Sequence, residues 1–162
     1  LLFTDGAVGM LVIPERLRNR YSEPLAKITN VDTAYKNGDL IKMKKGKFLM
    51  SSDVKDNIPK LVSETLVKPF FERNKLKIDD FKEWSIHQGG SEVLNKFCKE
   101  ECLNLPPEYI ERSMQMFYKY GNTSAASVLL IFDSFFNSPT SVKKRGDKGI
   151  LIGFGAGYYL GI

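Results

Sequence analysis

Strand-like runs in this chain alternate with helical ones, and that alternation limits the fold more than any other feature of the sequence. Trp84-Ser85-Ile86 and Gly149 to Phe154 read as short buried strands. Ala7 to Ile13, ended by Pro14, and Leu25 to Val31 read as further β-type runs, as does Lys47 to Ser51. Between them Val54, Ile58, Leu61, Val62, Leu66 and Phe70 keep helical spacing. Pro59 is expected in the first turn of that helix, and Pro69 is expected to kink or end it. Ser91 can cap a helix from Glu92 to about Cys102. Met114 to Tyr120, rich in aromatic residues, predicts a strand running into Gly121-Asn122. A last helix begins near Thr123, with Ala125, Val128, Leu129, Phe132 and Phe136 as its core stripe, and stops at Ser138-Pro139. Ala156 to Ile162 reads as an antiparallel partner of Gly149 to Phe154. Glu15 to Arg20 is expected as a charged loop, Asn37-Gly38 as a turn, and Lys143 to Lys148 as a solvated turn. Strands separated by helices predict an α/β layered fold.

The 162 residues suffice for one domain with a core. A net charge of +5 suits an acidic partner but is too mild to indicate nucleic acid, and no stacking aromatics interleave the lysines. No apolar run is long enough to span a bilayer, and no cleavable leader pattern opens the chain. The opening on Leu1, already strand-like, reads as part of a longer protein or a processed chain. Cys98 and Cys102 are four apart and share a face if helical. With His87 the only histidine, no metal site or metal cofactor is expected. Both cysteines read as reduced thiols in a reducing cytoplasm.

Three motifs could carry chemistry. His87 ends a predicted strand and precedes Gln88-Gly89-Gly90, where glycines let backbone approach a ligand. A structural histidine before a tight turn fits the same residues. Gly121-Asn122-Thr123-Ser124 lies at a junction into a helix. There Asn122 or Thr123 is either a cap or, for Asn122, an amide donor to an oxygen gaining negative charge. Gly153-Phe154-Gly155-Ala156-Gly157 is either a tight β-bend or a set of exposed backbone N–H groups. It is no phosphate loop, since no helix follows it.

Taken in order, Asp5-Gly6-Ala7-Val8-Gly9, Met50-Ser51-Ser52-Asp53, His87-Gln88-Gly89-Gly90, Gly121-Asn122-Thr123-Ser124-Ala125-Ala126-Ser127 and Gly153-Phe154-Gly155-Ala156-Gly157 resemble β-ketoacyl-acyl-carrier-protein synthase III, a thiolase-superfamily condensing enzyme. The resemblance implies a thiolase-like layered α/β fold, with residues 1–34 closing an N-terminal half and 35–162 forming the C-terminal half. It implies an acyltransferase that performs decarboxylative Claisen condensation of an acyl thioester with a malonyl thioester, in fatty acid or polyketide-type biosynthesis. His87 and Asn122 would take the roles of the catalytic pair that stabilises the enolate. Phe154, Gly155 and Ala156 would form the oxyanion and active-site wall. Asp53, Gly89 and Gly90 would line the pantetheine channel. Acyl-CoA and malonyl-CoA or malonyl-acyl carrier protein would be substrates, with no further cofactor.

Departures from that pattern shape the remaining expectations. No nucleophilic Cys stands at a matching position, so the chain is expected to need the N-terminal half that carries it, and to dimerise once complete. Gly90 stands in place of an Asn, Glu92 where an Arg often meets the carrier protein, and Asp53 where an Asn usually lines the channel. Lys42, Lys44, Lys45 and Lys47 either face an acidic carrier protein or form a solvated face. A type III polyketide synthase-like or specialised acyl-condensing enzyme shares a His-x-Gly-Gly and Gly-Phe-Gly-x-Gly pattern and is the first alternative. A non-catalytic partner subunit of a heteromeric condensing enzyme is the second.

Overall fold

The computed structural model describes residues 3–21, 26–36, 38, 40–139, 142, 144–155 and 159–162, without the side chains of residues 42, 43 and 48. Its centre is a pair of parallel strands, β4 (Phe81–Ile86) and β5 (Lys148–Phe154), paired Trp84↔Ile150 and Ile86↔Ile152. β6 (Tyr159–Gly161) folds back antiparallel on β5, and β1 (Thr33–Tyr35) pairs antiparallel with β6, giving the order β1-β6-β5-β4. β2 (Ile41–Lys44) and β3 (Lys47–Met50) form a separate hairpin. Lys45 and Gly46 at its tip both have positive φ, as a tight two-residue turn requires.

Parallel strands cannot be joined by a hairpin, and the crossover from β4 to β5 supplies three helices. These are α3 (Ser91–Phe97), α4 (Glu108–Tyr120) and α5 (Ser127–Asn137). Ahead of β4 lie α1 (Val54–Val62) and α2 (Lys68–Asn74), joined by a π-helical turn over Ser63–Val67. Ile58, Val62, Leu66, Val67, Val93, Leu94 and Phe97 from these elements pack with Trp84, Ile86, Ile150 and Ile152 of the strands. Burial of this kind stabilises by about 25 cal/mol per Å² of apolar surface.

Several expectations are corrected. Pro59 sits inside α1 rather than in its first turn. Pro69 does not end the helical stretch. The π turn ahead of it, with the Lys68 N–H donating to the Ser63 carbonyl, absorbs the missing proline donor within one continuous run. Met114 to Tyr120 belongs to α4, not to a strand. Ile110, Met114 and Phe117 fall on one helical face, Pro107 precedes the first turn, and Glu108 and Glu111 occupy it. α3 ends at Phe97, short of Cys102, and opens from Gly90 with no side-chain cap. The buried face of α5 carries Ser127 and Ile131, while Ala125 is exposed and Phe132 and Phe136 are half-buried. Glu15–Arg20 is a 3-10 helix, not a loop.

Ala7 to Ile13 is not a strand. It is largely exposed, Leu11 by 75%. A strand needs a neighbour for its N–H and C=O groups, and the described residues supply one only at Phe3 and Thr4. Residues 26–32 likewise form no strand, and Leu25 lies outside the described residues. The Asn37-Gly38 turn cannot be compared, since Asn37 is also outside them. Lys47–Met50, the β5 strand and its β6 partner match the sequence reading.

β4 is the outer strand of its sheet, and α4 closes its free edge. The Ile86 N–H, turned away from β5, donates to Ser113 Oγ at 3.1 Å, and Ser113 is fully buried. Replacing Ser113 with Ala strands that buried donor. We expect a loss of about 1–3 kcal/mol in denaturant unfolding; an unchanged midpoint would mean that water takes the hydroxyl's place.

Candidate functional site

The C-terminal ends of β4 and β5 lie side by side because their register puts Ile86 opposite Ile152. The next residues are His87 and Gly153. The His87 N–H donates to the Ile152 carbonyl at 2.9 Å, which carries the parallel ladder one residue past β4 and fixes the backbone of the histidine. Its ring meets the Phe154 ring edge-on, centroids 4.8 Å apart at 80°. Phe154 is held in turn against Phe97 of α3. Loss of solvent at this strand end lowers the His87 pKa to about 4, so the ring is neutral near pH 7.

The two glycines have different reasons to be there. A Cβ on Gly89 would approach Phe154 Cε2 to 3.3 Å and the Val93 methyls to about 3.5 Å, so Gly89 is the floor on which the Phe154 ring lies. Gly90 has φ +147° and ψ 161°, a region that is essentially glycine's alone. A glycine rather than an Asn at this position is therefore what the local backbone demands.

Asn122 arrives from the end of α4. Its Oδ1 accepts the Ser124 N–H at 2.8 Å, which leaves Nδ2 as the donor end of the amide. The residue is 3% exposed. Its backbone carbonyl accepts the Thr4 N–H at 3.0 Å, and Thr4 Oγ1 donates to the Tyr120 carbonyl, so residues 3 and 4 brace this loop from outside. Gly6 comes so close to Thr123 that an added Cβ would lie 2.8 Å from the Thr123 Cβ. One end of the Asn122 amide is thus spent on a local turn bond to Ser124, and the other keeps its donor hydrogens.

Gln88 joins the two loops. Buried to 1% exposure, it donates from Nε2 to the Gly121 carbonyl at 3.3 Å. The residue after the histidine therefore holds the residue before the asparagine. The sequence reading had no role for Gln88 of this kind. Its signal was available: Gln88 has the same strand parity as Trp84 and Ile86, so it points inward, and a polar side chain at an inward position needs a partner.

The remaining candidates fall in different places. The Gly155 N–H donates to the Tyr159 carbonyl at 3.1 Å, closing the β5–β6 bend, so it is not free to act as an oxyanion donor. Ala156 lies outside the described residues. Asp53 stands at the head of α1, where its carbonyl accepts from Asn57 and its Oδ1 from Ser52. The head of α1 is linked to that of α3 by Lys55 Nζ to Glu92 Oε2, 2.8 Å. Glu92 thus has an exposed lysine for a partner. A cavity of about 760 Å³ between residues 4–7 and helices α4 and α5 includes Thr123 in its lining but neither His87 nor Phe154.

Cys98 and Cys102 are free, and desolvation raises both thiol pKa values, which disfavours the thiolate a nucleophile needs. Among the described residues no three His, Cys, Asp or Glu side chains gather as metal ligands. Among them, too, no helix is long and apolar enough to cross a membrane.

Residues 35–161 match the family of chalcone and stilbene synthases, C-terminal domain, and the chain belongs to that family. Two solved structures share its mixed α/β fold. One is the polyketide synthase PKS-I from the brown alga Ectocarpus siliculosus, with 20% identity and TM-score 0.65, covering 83% of this chain and 37% of that one. The other is 1,3,6,8-tetrahydroxynaphthalene synthase from Streptomyces coelicolor A3(2), a bacterial type III polyketide synthase. It has 21% identity and TM-score 0.70, covering 83% of this chain and 39% of that one. The chain thus spans about two fifths of the length of the structures it matches. Of the condensing-enzyme branches expected from the sequence, the type III polyketide synthase alternative fits better than synthase III.

The neutral state of His87 has a consequence for stability. Its folded pKa lies below the unfolded value of 6.5, so the unfolded chain binds the proton more readily. Stability is therefore undiminished above pH 6.5, falls as pH drops, and the fall levels off near pH 4. With allowance for partial exposure, about 1–2 kcal/mol is lost by pH 5. Denaturant unfolding of the protein and of His87→Gln across pH 5 to 7.5 measures this; equal slopes in both would assign the pH dependence to other groups.

Proposed function

We propose that this chain supplies the decarboxylating, enolate-stabilising half of a type III polyketide synthase-like condensing enzyme, with His87 and Asn122 as its catalytic pair. The observation that supports the pairing is the Gln88–Gly121 hydrogen bond, which ties the loop of one to the loop of the other. Family membership supports the reaction class.

In this reading the thioester carbonyl of a malonyl group lies between the His87 imidazole N–H and the Asn122 Nδ2–H. Loss of CO2 leaves the electron pair of the broken C–C bond in an enolate, and both donors meet the oxygen on which charge accumulates. A His pKa near 4 serves this step. A neutral imidazole stabilises the enolate by hydrogen bonding, whereas an imidazolium would deliver its proton and quench the carbon nucleophile. Phe154 keeps water from the histidine on one side. Gly90, open where a Cβ would stand, offers a close backbone approach for the pantetheine arm; Gly89 beside it seats the Phe154 ring, and Asp53 stands at the head of the neighbouring helix α1. The enolate carbon then attacks an acyl thioester on a cysteine carried by an N-terminal half, releasing the thiolate.

The same reading holds the chain to be paired with that N-terminal half in a homodimer of the complete enzyme, in a reducing cytoplasm, using CoA thioesters. The Gly121 to Ser127 run keeps a synthase III-like enzyme, fed by malonyl-acyl carrier protein, as the second reading.

The test is malonyl decarboxylation and acyl transfer in the full-length protein. His87→Ala and Asn122→Ala should each lower the decarboxylation rate by roughly 100-fold or more. Cys98→Ala and Cys102→Ala should leave acylation, read by intact mass, unchanged. Turnover of malonyl-CoA favours the polyketide synthase reading, and turnover only of the carrier-bound malonyl group favours the second. Full decarboxylation by both Ala variants of the pair would sink both.

A further inference from the structure

Gln88 is an expensive residue to keep where it is. It is among the fully buried side chains, and its Oε1 has no hydrogen-bond partner within the described residues. The amide cannot be turned to relieve this. The Gly121 carbonyl only accepts, so Nε2 must face it and Oε1 must face away. A hydrophobic side chain of similar length would fill the same space without an orphaned oxygen.

The benefit on the other side is positional. Upstream, the His87 backbone is held by the Ile152 carbonyl. Downstream, the Gly121 N–H is held by Phe117 at 2.7 Å, and Asn122 by Ser124 and Thr4. Each loop is thus anchored to its own element, β4 for one and α4 for the other. The Ile86–Ser113 bond joins those elements one residue before the histidine, and the Gln88–Gly121 bond joins them one residue before the asparagine.

We infer that Gln88 is a positioning residue: its side-chain amide sets the separation of His87 and Asn122 by clamping the Gly121 carbonyl, with a buried oxygen left unpaired among the described residues. This rests on the proposed function, in which both residues address one oxygen. A pair of donors aimed at a single atom tolerates little drift, whereas for the fold the gain is mixed: an apolar side chain would remove the orphaned oxygen but leave the Gly121 carbonyl without its donor.

The experiment compares the full-length protein with Gln88→Met, which keeps the volume and loses the donor, and with Gln88→Asn, which keeps the amide but falls one methylene short of Gly121. Decarboxylation of malonyl-CoA, thermal melting, and hydrogen exchange of the Gly121 and Ser124 amides are measured on each. The inference expects Gln88→Met to lose kcat by roughly 10- to 100-fold with KM within about threefold, while its melting temperature stays within about 5 degrees of the parent, because the loss of the donor to Gly121 and the removal of the orphaned oxygen oppose each other. Exchange at Gly121 and Ser124 should quicken while β4 and β5 stay protected, and Gln88→Asn should resemble Gln88→Met. Parent-like kcat in Gln88→Met overturns the inference. So does a loss of kcat that merely follows a lowered melting temperature in both variants. If the parent itself does not decarboxylate malonyl-CoA or the carrier-bound group, the proposed function fails, and the exchange data alone decide the clamp: quickened exchange upholds it and unchanged exchange removes it.

Discussion

The parallel pairing of β4 with β5 is the constraint on which the rest of this structure depends. A parallel pair has both C-terminal ends on the same side, so residues that follow the two strands emerge together. Here the shared end delivers His87 from one strand and the Gly153-Phe154-Gly155 bend from the other. The crossover that parallel pairing requires must start and finish at opposite ends of the sheet. Its middle carries α4 back to the His87 end, where Gly121-Asn122 begins the return into α5. Three motifs far apart in the chain thus meet through one topological rule.

Polar groups around that centre are sorted by the faces of β4. Trp84 and Ile86 face the hydrophobic core, and Gln88 follows their parity. Glu83 lies between Ser85 and Arg112, accepting from both, and Arg112 also covers the Phe135 ring at 5.3 Å. Burial pushes the Glu83 carboxyl up from its usual range while Arg112 opposes that shift. A buried carboxylate paired in this way contributes little net stability compared with apolar packing, but it fixes how α4 meets the strand. Ser113 on the same helix then has no freedom but to face the Ile86 N–H. The helix that ends at Asn122 is therefore indexed to the strand that ends at His87 by an ion pair, a hydroxyl and an amide in succession.

The sheet at the site was legible in the sequence, and the helices were legible mainly where periodicity was clean. Gly149 to Phe154 is bounded by glycines and rich in β-branched residues, and Trp84 to Ile86 runs straight into a turn signal, so both strands could be read locally. Met114 to Tyr120 could not be read that way. Its aromatic content resembles a strand, and only the preceding Ile110 and the acidic first turn after Pro107 reveal the helical period. Ala7 to Ile13 has every local mark of a strand and lacks only a neighbour, which no local pattern encodes. For the site, His87 and Asn122 stood out by residue type beside glycines, and the order of motifs connected them. The Gly155 N–H looks free in sequence and is taken up by the Tyr159 carbonyl in the fold. Gln88 and Ser113 were missed since their roles depend on pairing between elements rather than on any motif.

The departures at Gly90 and Glu92 have a common physical origin. The chain must leave β4, pass the Phe154 ring and enter α3 within four residues, His87 to Gly90. Gly89 makes room for the ring, and Gly90 takes a backbone conformation that a side chain would oppose. An asparagine at residue 90 would have to reshape that turn, and with it the position of Gln88. The helix that follows then starts with no side-chain cap, and Glu92 in its first turn offsets the exposed N–H groups by charge alone, held there by Lys55. With two glycines in the turn, the head of α3 is left to an acidic first turn and its lysine. At the other end of the turn, the ladder bond from the His87 N–H to the Ile152 carbonyl fixes the backbone of the histidine.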